Sequence, residues 1–406
     1  MLVDLDFMYR ERLKENNMNK QQTLTLSILL SNLFIAFLGI GLVIPVLPTL
    51  MNELNISGSV VGYMVAAFAI TQLIVSPIAG KMVDNIGRKI MIVAGLFIFG
   101  FSELLFGLGR SIEILFISRM LGGVSAAFIM PAVTAYIADI TTLSQRPKAL
   151  GYMSAAISTG FIIGPGIGGF LAEFGTRIPF YAAGILGFLA AILSIILLKE
   201  PTRASDDAES APSIVGSMKR IFSPLYLIPF VLIFVLSFGL AAFESLFSLF
   251  VDHKFAFTPS DIAIIITGSG IVGALAQLVL FDWLTRKMGE INLIRYSLVL
   301  SAVLTLAMTF VSHYFAILFV TFFIFVGFDL IRPAVTSYLS KIAGNEQGFV
   351  GGMNSMFTSL GNIFGPILGG ILFDINLNYP YYFATIVLTL GVILALFWRK
   401  PKHIEI

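Results

Sequence analysis

The sequence contains no cysteine. That excludes disulfides, thiolate nucleophiles and cysteine-held metal centres. Histidine is almost as scarce, with three in 406 residues. His253 and His313 are expected in outer loops and His403 in the terminal tail, so none is placed for proton work inside a fold. Charge is sparse too: Asp, Glu, Lys and Arg make up 12% of the chain, against about 25% in soluble domains. Neither GxxxxGK[ST] nor HExxH occurs, so no nucleotide-driven or zinc chemistry is visible. The net charge of +2 is no nucleic-acid signature.

What fills the space is apolar length. The chain is 57% hydrophobic, with a mean hydropathy of +0.94. A helix needs about 20 mainly apolar residues to cross a bilayer. Twelve such runs can be read: 24–49, 60–79, 90–109, 113–137, 148–171, 177–198, 224–250, 260–284, 291–311, 314–339, 347–372 and 378–398. Backbone groups in lipid must be bonded internally, so each is expected to be a helix. The expected fold is an all-α membrane protein of twelve transmembrane helices in two six-helix bundles. Lys and Arg fix the orientation. Of the 25, only Arg110, Arg177 and Lys254 fall on one side, and Arg119, Arg295 and Arg332 lie within or at the edge of spans. The rest share the side of the two termini, which is therefore expected to be the cytoplasm.

Between the sixth and seventh spans runs KEPTRASDDAESAPSIVGSMKRIF, charged and bearing Ser and Pro. It reads as a linker. The expected organisation is an N-terminal extension over 1–17, poorly ordered; a six-helix bundle over 18–199; a cytoplasmic linker over 200–222; a second bundle over 223–398; and a cytoplasmic tail over 399–406. Met18 opens MNKQQTLTL, which resembles a natural start.

The two halves repeat. Residues 151–181 align without gaps on 352–382, and twelve of the 31 positions are identical. Gly164-Pro165 falls on Gly365-Pro366, and Gly168-Gly169 on Gly369-Gly370. Pro131-Ala-Val-Thr-Ala-Tyr136 likewise matches Pro333-Ala-Val-Thr-Ser-Tyr338. The offsets, 201 and 202, mark parallel repeats. Transporters built this way hold substrate near the bilayer midplane and rock around it.

Three motifs stand out. Between the second and third spans lies Gly80-KMVDNIGR-Lys89, in which Asp84 at a helix end can pair with basic groups of a neighbour. Gly80, Asp84, Gly87, Arg88 and Lys89 match the major facilitator signature GxLaDrxGRkxxl. The plainer reading is that Arg88 and Lys89 only follow the positive-inside rule. The fourth span carries Arg119 and Gly123, resembling that superfamily's RxxxG. A charge at depth costs at least about 2.5 kcal/mol on insertion scales, so Arg119 is expected to face inward with a partner, Glu103 being one candidate, or else to snorkel to the interface. The fifth span reads GFIIGPGIGGFLAE, resembling gxxxGPxxGG, the antiporter motif. Its residues Gly160, Gly164, Pro165, Gly168 and Gly169 let another helix approach closely, and the proline frees a backbone carbonyl and kinks the span. Close packing without export is the alternative.

Two acids sit in oil. Glu244 lies near the middle of the seventh span, and Asp329 within FIFVGFDLIRPAV of the tenth. Arg332 is three residues on, on the same helix face. Low dielectric favours the neutral form of a carboxyl, and a cation favours the charged form. One acid is therefore expected to stay ionised while the other takes up a proton. A structural Asp329–Arg332 salt bridge is the alternative, and it leaves Glu244 unexplained. With no nucleotide motif, energy would come from an ion gradient, worth about 2.3 kcal/mol per charge per 100 mV. Most of the 38 phenylalanines pack helices or face lipid. Phe37, Phe68, Phe161, Phe247 and Phe328, with Gln72 one turn from Phe68, flank the polar positions and suit bulky lipophilic cations through burial and cation–π attraction.

These residues carry a close resemblance over nearly the whole chain from Met18. FLGIGLVIPVLP, SPIAGKMVDNIGRK, GFIIGPGIGGF, LAAFESLFSLF and GFDLIRP are similar to the Bmr/NorA type of multidrug efflux transporter, in the drug:proton antiporter branch of the major facilitator superfamily. The resemblance implies proton-driven export of cationic dyes, quaternary ammonium compounds and fluoroquinolones from a bacterial cell membrane. It implies no cofactor, no enzyme activity and a protein that works alone. Glu244 and Asp329 would be the coupling acids, with Arg119 and Arg332 as charge partners. Phe37, Ile40, Phe68, Gln72, Phe161 and Phe328 would line the drug cavity. A proton-coupled importer of a small metabolite, or a non-transporting membrane receptor, are the rival expectations.

Overall fold

A computed structural model of the chain describes residues 18–142, 144–201, 224–343 and 347–398. The expected N-terminal extension, the tail and all but the first two residues of the expected linker lie outside them. Every regular element among the described residues is helical. Helix α1 runs over Lys20–Val43 and passes through a 3-10 turn, Ile44–Val46, into α2, Leu47–Glu53. Pro45 and Pro48, which cannot donate, sit at that break. There follow α3 (Gly58–Ile86), α4 (Arg88–Leu108), α5 (Ile112–Ile140), α6 (Arg146–Ala172) and α7 (Ile178–Leu197). After the linker come α8 (Pro224–Phe255), α9 (Pro259–Phe310), α10 (Tyr314–Ala343), α11 (Gln347–Ile375) and α12 (Tyr379–Phe397).

Among the described residues eleven helices are long and apolar enough to cross a membrane, Lys20–Glu53 counting as one. One of them, α9, has 52 residues and is broken at Gly289, whose φ of 76° and ψ of 161° are not helical. The helix starts follow local chemistry. Pro occupies the first turn of α7, α9 and α12, where its missing N–H costs nothing. Thr258 and Asp261 form a capping box on α9, each side chain accepting the other's backbone N–H. His253 is not in a loop: α8 continues through it to Phe255. The extra turn is held by Lys254, whose Nζ donates to the carbonyls of Met308 and Thr309 at the end of α9.

The helices fall into two compact units. The first holds α1, the part of α3 from Thr71 onward, and α4 to α7. Its core gathers Leu26, Leu29 and Leu33 of α1 with Met91, Ile92 and Leu96 of α4 and Val133, Tyr136 and Ile137 of α5. The second holds Ile44–Ile70, so α2 and the start of α3, together with α8 to α12. Its core is more aromatic, centred on Phe230, Phe243, Phe247, Phe250, Phe328 and Tyr381. Small residues let helices in each unit close on one another, as lipid-facing bundles require in place of a hydrophobic drive. Large apolar side chains such as Ile196, Leu278, Phe315 and Phe397 stay exposed.

Candidate functional site

The glycines of GFIIGPGIGG are the joint between α6 and α1. A methyl group on Gly160 would sit 2.8 Å from the Phe34 carbonyl oxygen, and one on Gly164 2.7 Å from that of Leu38. One on Gly168 would fall onto the Leu42 carbonyl. Pro165 lies on the same seam, its ring against Gly41, and Gly169 is buried beside it. This contact brings Phe161 to Phe37, with ring centroids 5.1 Å apart. Phe161 is exposed, while Phe37, Ile40 and Gln72 are half-buried. These four belong to the first unit. Phe68, also half-buried, belongs to the second.

The repeat copies this joint in the second unit. Gly361 and Gly365 of α11 press on the backbone of α8 at Phe238, and Gly369 meets the Leu246 side chain. That seam places Glu244 near the middle of α8, with its side chain exposed. Asp329 on α10 is half-buried, its carboxylate lying against the Cα of Gly273 on α9. Any side chain at Gly273 would displace it. Arg332 is exposed. Glu244, Asp329 and Arg332 lie within reach of one another's charge. Among the described residues no ion pair or hydrogen bond engages any of the three. Among the described residues the Asp329–Arg332 bridge is therefore absent: their shared helix face does not bring the head groups together, because Asp329 turns to α9 while Arg332 is exposed. Phe247 and Phe328 do not line an open wall. They are 2% exposed and sit in the aromatic core, both rings packing on Phe243 at 5.2 and 6.2 Å.

Arg119 faces inward. Its Nη2 lies 3.2 Å from Glu103 on α4, and its guanidinium carbon is 4.2 Å from the centre of the Phe106 ring. This matches the partner expected from sequence. The loop motif is built differently from expectation. Asp84 is largely exposed, and among the described residues it meets only Arg88, at 3.5 Å. The close partner of Arg88 is Asp139 at the end of α5, 2.8 Å away and buried. Gly87 has φ 123°, a conformation that disfavours any side chain. The next two amides, of Arg88 and Lys89, donate to the Glu200 carboxylate at 2.6 and 3.0 Å, and Lys89 Nζ donates to the Ile195 carbonyl. Gly80 has open space around it.

Sequence reasoning missed Asp139 and Glu200, and it missed a second copy of the arrangement. At the break in α9, Gly289 has positive φ, and Glu290 next to it pairs with Lys341 of α10. Glu290 and Lys341 stand 202 residues after Arg88 and Asp139, with the signs exchanged. The signal was the repeat offset itself, applied to charges instead of glycines and prolines.

No cluster of His, Asp or Glu able to hold a metal occurs among the described residues. The profile of the Major Facilitator Superfamily matches residues 29–254 and 229–405. The chain is 67% identical over 386 residues to "Multidrug resistance protein 1" of Bacillus subtilis (strain 168), covering 95% of this chain and 99% of that protein. It is 46% identical over 387 residues to "Quinolone resistance protein NorA" of Staphylococcus aureus (strain COL), covering 95% and 98%. Its fold is similar to the crystal structure of a bacterial homolog of the human lysosomal transporter Spinster, with a TM-score of 0.75 at 15% identity, covering 94% of this chain and 96% of that one. A like similarity holds for the nucleoside transporter NupG, with a TM-score of 0.75 at 15% identity over 92% and 97%. The chain is a multi-pass membrane protein and belongs to the Major Facilitator Superfamily.

Proposed function

We propose that the protein is a proton-coupled multidrug antiporter that exports lipophilic, often cationic, compounds across a bacterial cell membrane. The observation that carries this reading is the set of Glu244, Asp329 and Arg332, which makes no ion pair or hydrogen bond among the described residues. An unpartnered charge in hydrocarbon costs several kcal/mol. Three such groups together, two of them exposed in mid-helix, suit a site that water or a ligand enters. The names of the relatives, a multidrug resistance protein and a quinolone resistance protein, point to the ligand class.

In this mechanism ionised Glu244 and Asp329 attract the cationic drug from the cytoplasm. Phe37, Ile40, Phe68, Gln72 and Phe161 supply apolar and aromatic contact, with Phe247 and Phe328 held in the aromatic core of the second unit. On the outer side the carboxylates take up protons. Neutralised, they no longer hold a cation, so the drug leaves and the protonated carrier returns. Because one ligand is exchanged for the other, coupling needs no contact between drug and proton. Broad apolar contact with few directed bonds gives loose specificity.

The topology completes the reading. A straight helix of 52 residues would be about 78 Å long, against about 30 Å of hydrocarbon. We infer that α9 crosses twice, turning at Gly289, which makes twelve spans. Both termini then lie on the basic, cytoplasmic side. The protein works as a monomer and needs no cofactor. The test is dye accumulation in cells producing the protein, with and without a protonophore. Export should stop when the proton gradient collapses. Glu244→Gln should abolish active export of cationic dyes while folded protein remains in the membrane. Wild-type export rates in that variant would remove the coupling role of Glu244.

A further inference from the structure

The outer end of α3 is tied to α11 by a side chain that no motif includes. Asp374 Oδ1 accepts the Gly58 backbone N–H at 2.7 Å, and Oδ2 accepts that of Ser59 at 3.0 Å. These are the first two residues of α3, whose amide groups have no partner within their own helix. Asp374 is in the last turn of α11, a turn with no basic residue. An acid there opposes its own helix dipole and complements that of α3. The surrounding backbones are shaped to fit. Gly62 leaves no space for a side chain beside the Pro366 carbonyl, and Gly370 none beside Gly58. Nearby, Asn52 Nδ2 of α2 donates to Asp252 Oδ2 of α8 at 3.0 Å.

Gly58–Ile86 belongs to the first sequence repeat and Gln347–Ile375 to the second, yet the start of α3 packs within the second compact unit. Alternating access, on which this inference rests, requires such a tie to form and break once per cycle. We propose that Asp374 is a gate residue: its carboxylate latches the amino end of α3 to α11 on the outer side, and the cycle passes through release of that latch. The role is positioning. Asp374 touches neither drug nor the coupling acids, and acts through the α3 backbone.

The absence of cysteine in the chain allows a direct test. Val61 is 2% exposed in the latched arrangement, so a Val61→Cys protein reports opening by its rate of reaction with a membrane-impermeant maleimide. The reagent is applied to intact cells and, separately, to inverted vesicles. Asp374→Ala in that background should raise the labelling rate about fivefold, the effect of losing a typical helix cap. Asp374→Asn, which keeps one acceptor and the same size, should fall between, and Asp374→Glu should restore slow labelling. The increase should appear from the cell exterior. An increase seen only in inverted vesicles would overturn the outer placement and with it the proposed orientation. Labelling unchanged in both Asp374→Ala and Asp374→Asn, at wild-type protein levels, would overturn the latch itself. Dye export measured in parallel separates this result from failure of the antiport reading, since maleimide access does not depend on the substrate.

Discussion

At matching positions 202 residues apart, the first repeat holds Glu103 against Arg119 and the second holds Thr305 and Thr321. Both threonines are fully buried, and neither hydroxyl has a hydrogen-bond partner among the described residues. The helices around them pack in the same order, α4 on α5 in one unit and the second arm of α9 on α10 in the other. The repeat preserves shape while its chemistry is free to diverge. One unit spends its buried charges on a closed pair. The other pairs Glu290 with Lys341 but leaves Glu244, Asp329 and Arg332 without an ion pair among the described residues.

The largest test of that contrast removes one partner from each site. Arg119→Ala strands the Glu103 carboxylate and should cost about 3–5 kcal/mol. Thr321→Val, which deletes an unsatisfied hydroxyl without changing volume much, should be neutral or stabilising by about 1 kcal/mol. Thermal unfolding in detergent, with the folded fraction in membranes as a second measure, checks both. Equal losses at the two positions would show that Thr321 has a partner such as bound water.

A smaller difference is expected on the glycine seams. Gly168→Ala drives a methyl into the Leu42 backbone, which cannot move alone, and should cost about 1–3 kcal/mol. Gly369→Ala meets only the end of the Leu246 side chain, at 3.1 Å, and should cost less than about 1 kcal/mol. The same unfolding measurement ranks the two, and the reverse order would break the comparison.

The smallest effect concerns the sign-exchanged pairs. The Lys341 side chain is 40% exposed, against 10% for Arg88 and 8% for Asp139. Lys341→Gln should therefore cost about 1 kcal/mol or less. Glu290→Lys alone sets two cations together, and adding Lys341→Glu should recover most of the loss. A double-mutant cycle reads the coupling directly. No recovery in the double variant would mean that Glu290 and Lys341 act separately.

Much of this was legible from residues alone, for physical reasons. Spans announce themselves because lipid demands long apolar runs, and the α9 break was readable because RKMGE interrupts one. The α6 seam was readable because close backbone approach needs glycine at fixed spacing. Arg119 and Glu103 could be matched because a buried cation needs an anion at similar depth. Asp139, Glu200 and Asp374 could not be found that way. Each sits at a helix end, where a charge reads as ordinary solvent-facing polarity, and each meets its partner only after tertiary packing. The absent Asp329–Arg332 bridge shows the converse limit. Spacing on one helix fixes which Cβ atoms are neighbours, but the surrounding helices decide where the head groups go. Phe247 and Phe328, expected to flank the polar positions, are buried in the aromatic core, which spacing along one helix does not show.

Gly87 and Gly289 are single-residue joints between long helices, both at positive φ. They have no slack. An added or deleted residue there would turn the following helix about its axis by about 100°, carrying Arg88 or Glu290 away from its partner. Natural relatives should accordingly vary in length at the linker and the termini and keep these two corners free of insertions, making them poor places for an inserted tag or reporter.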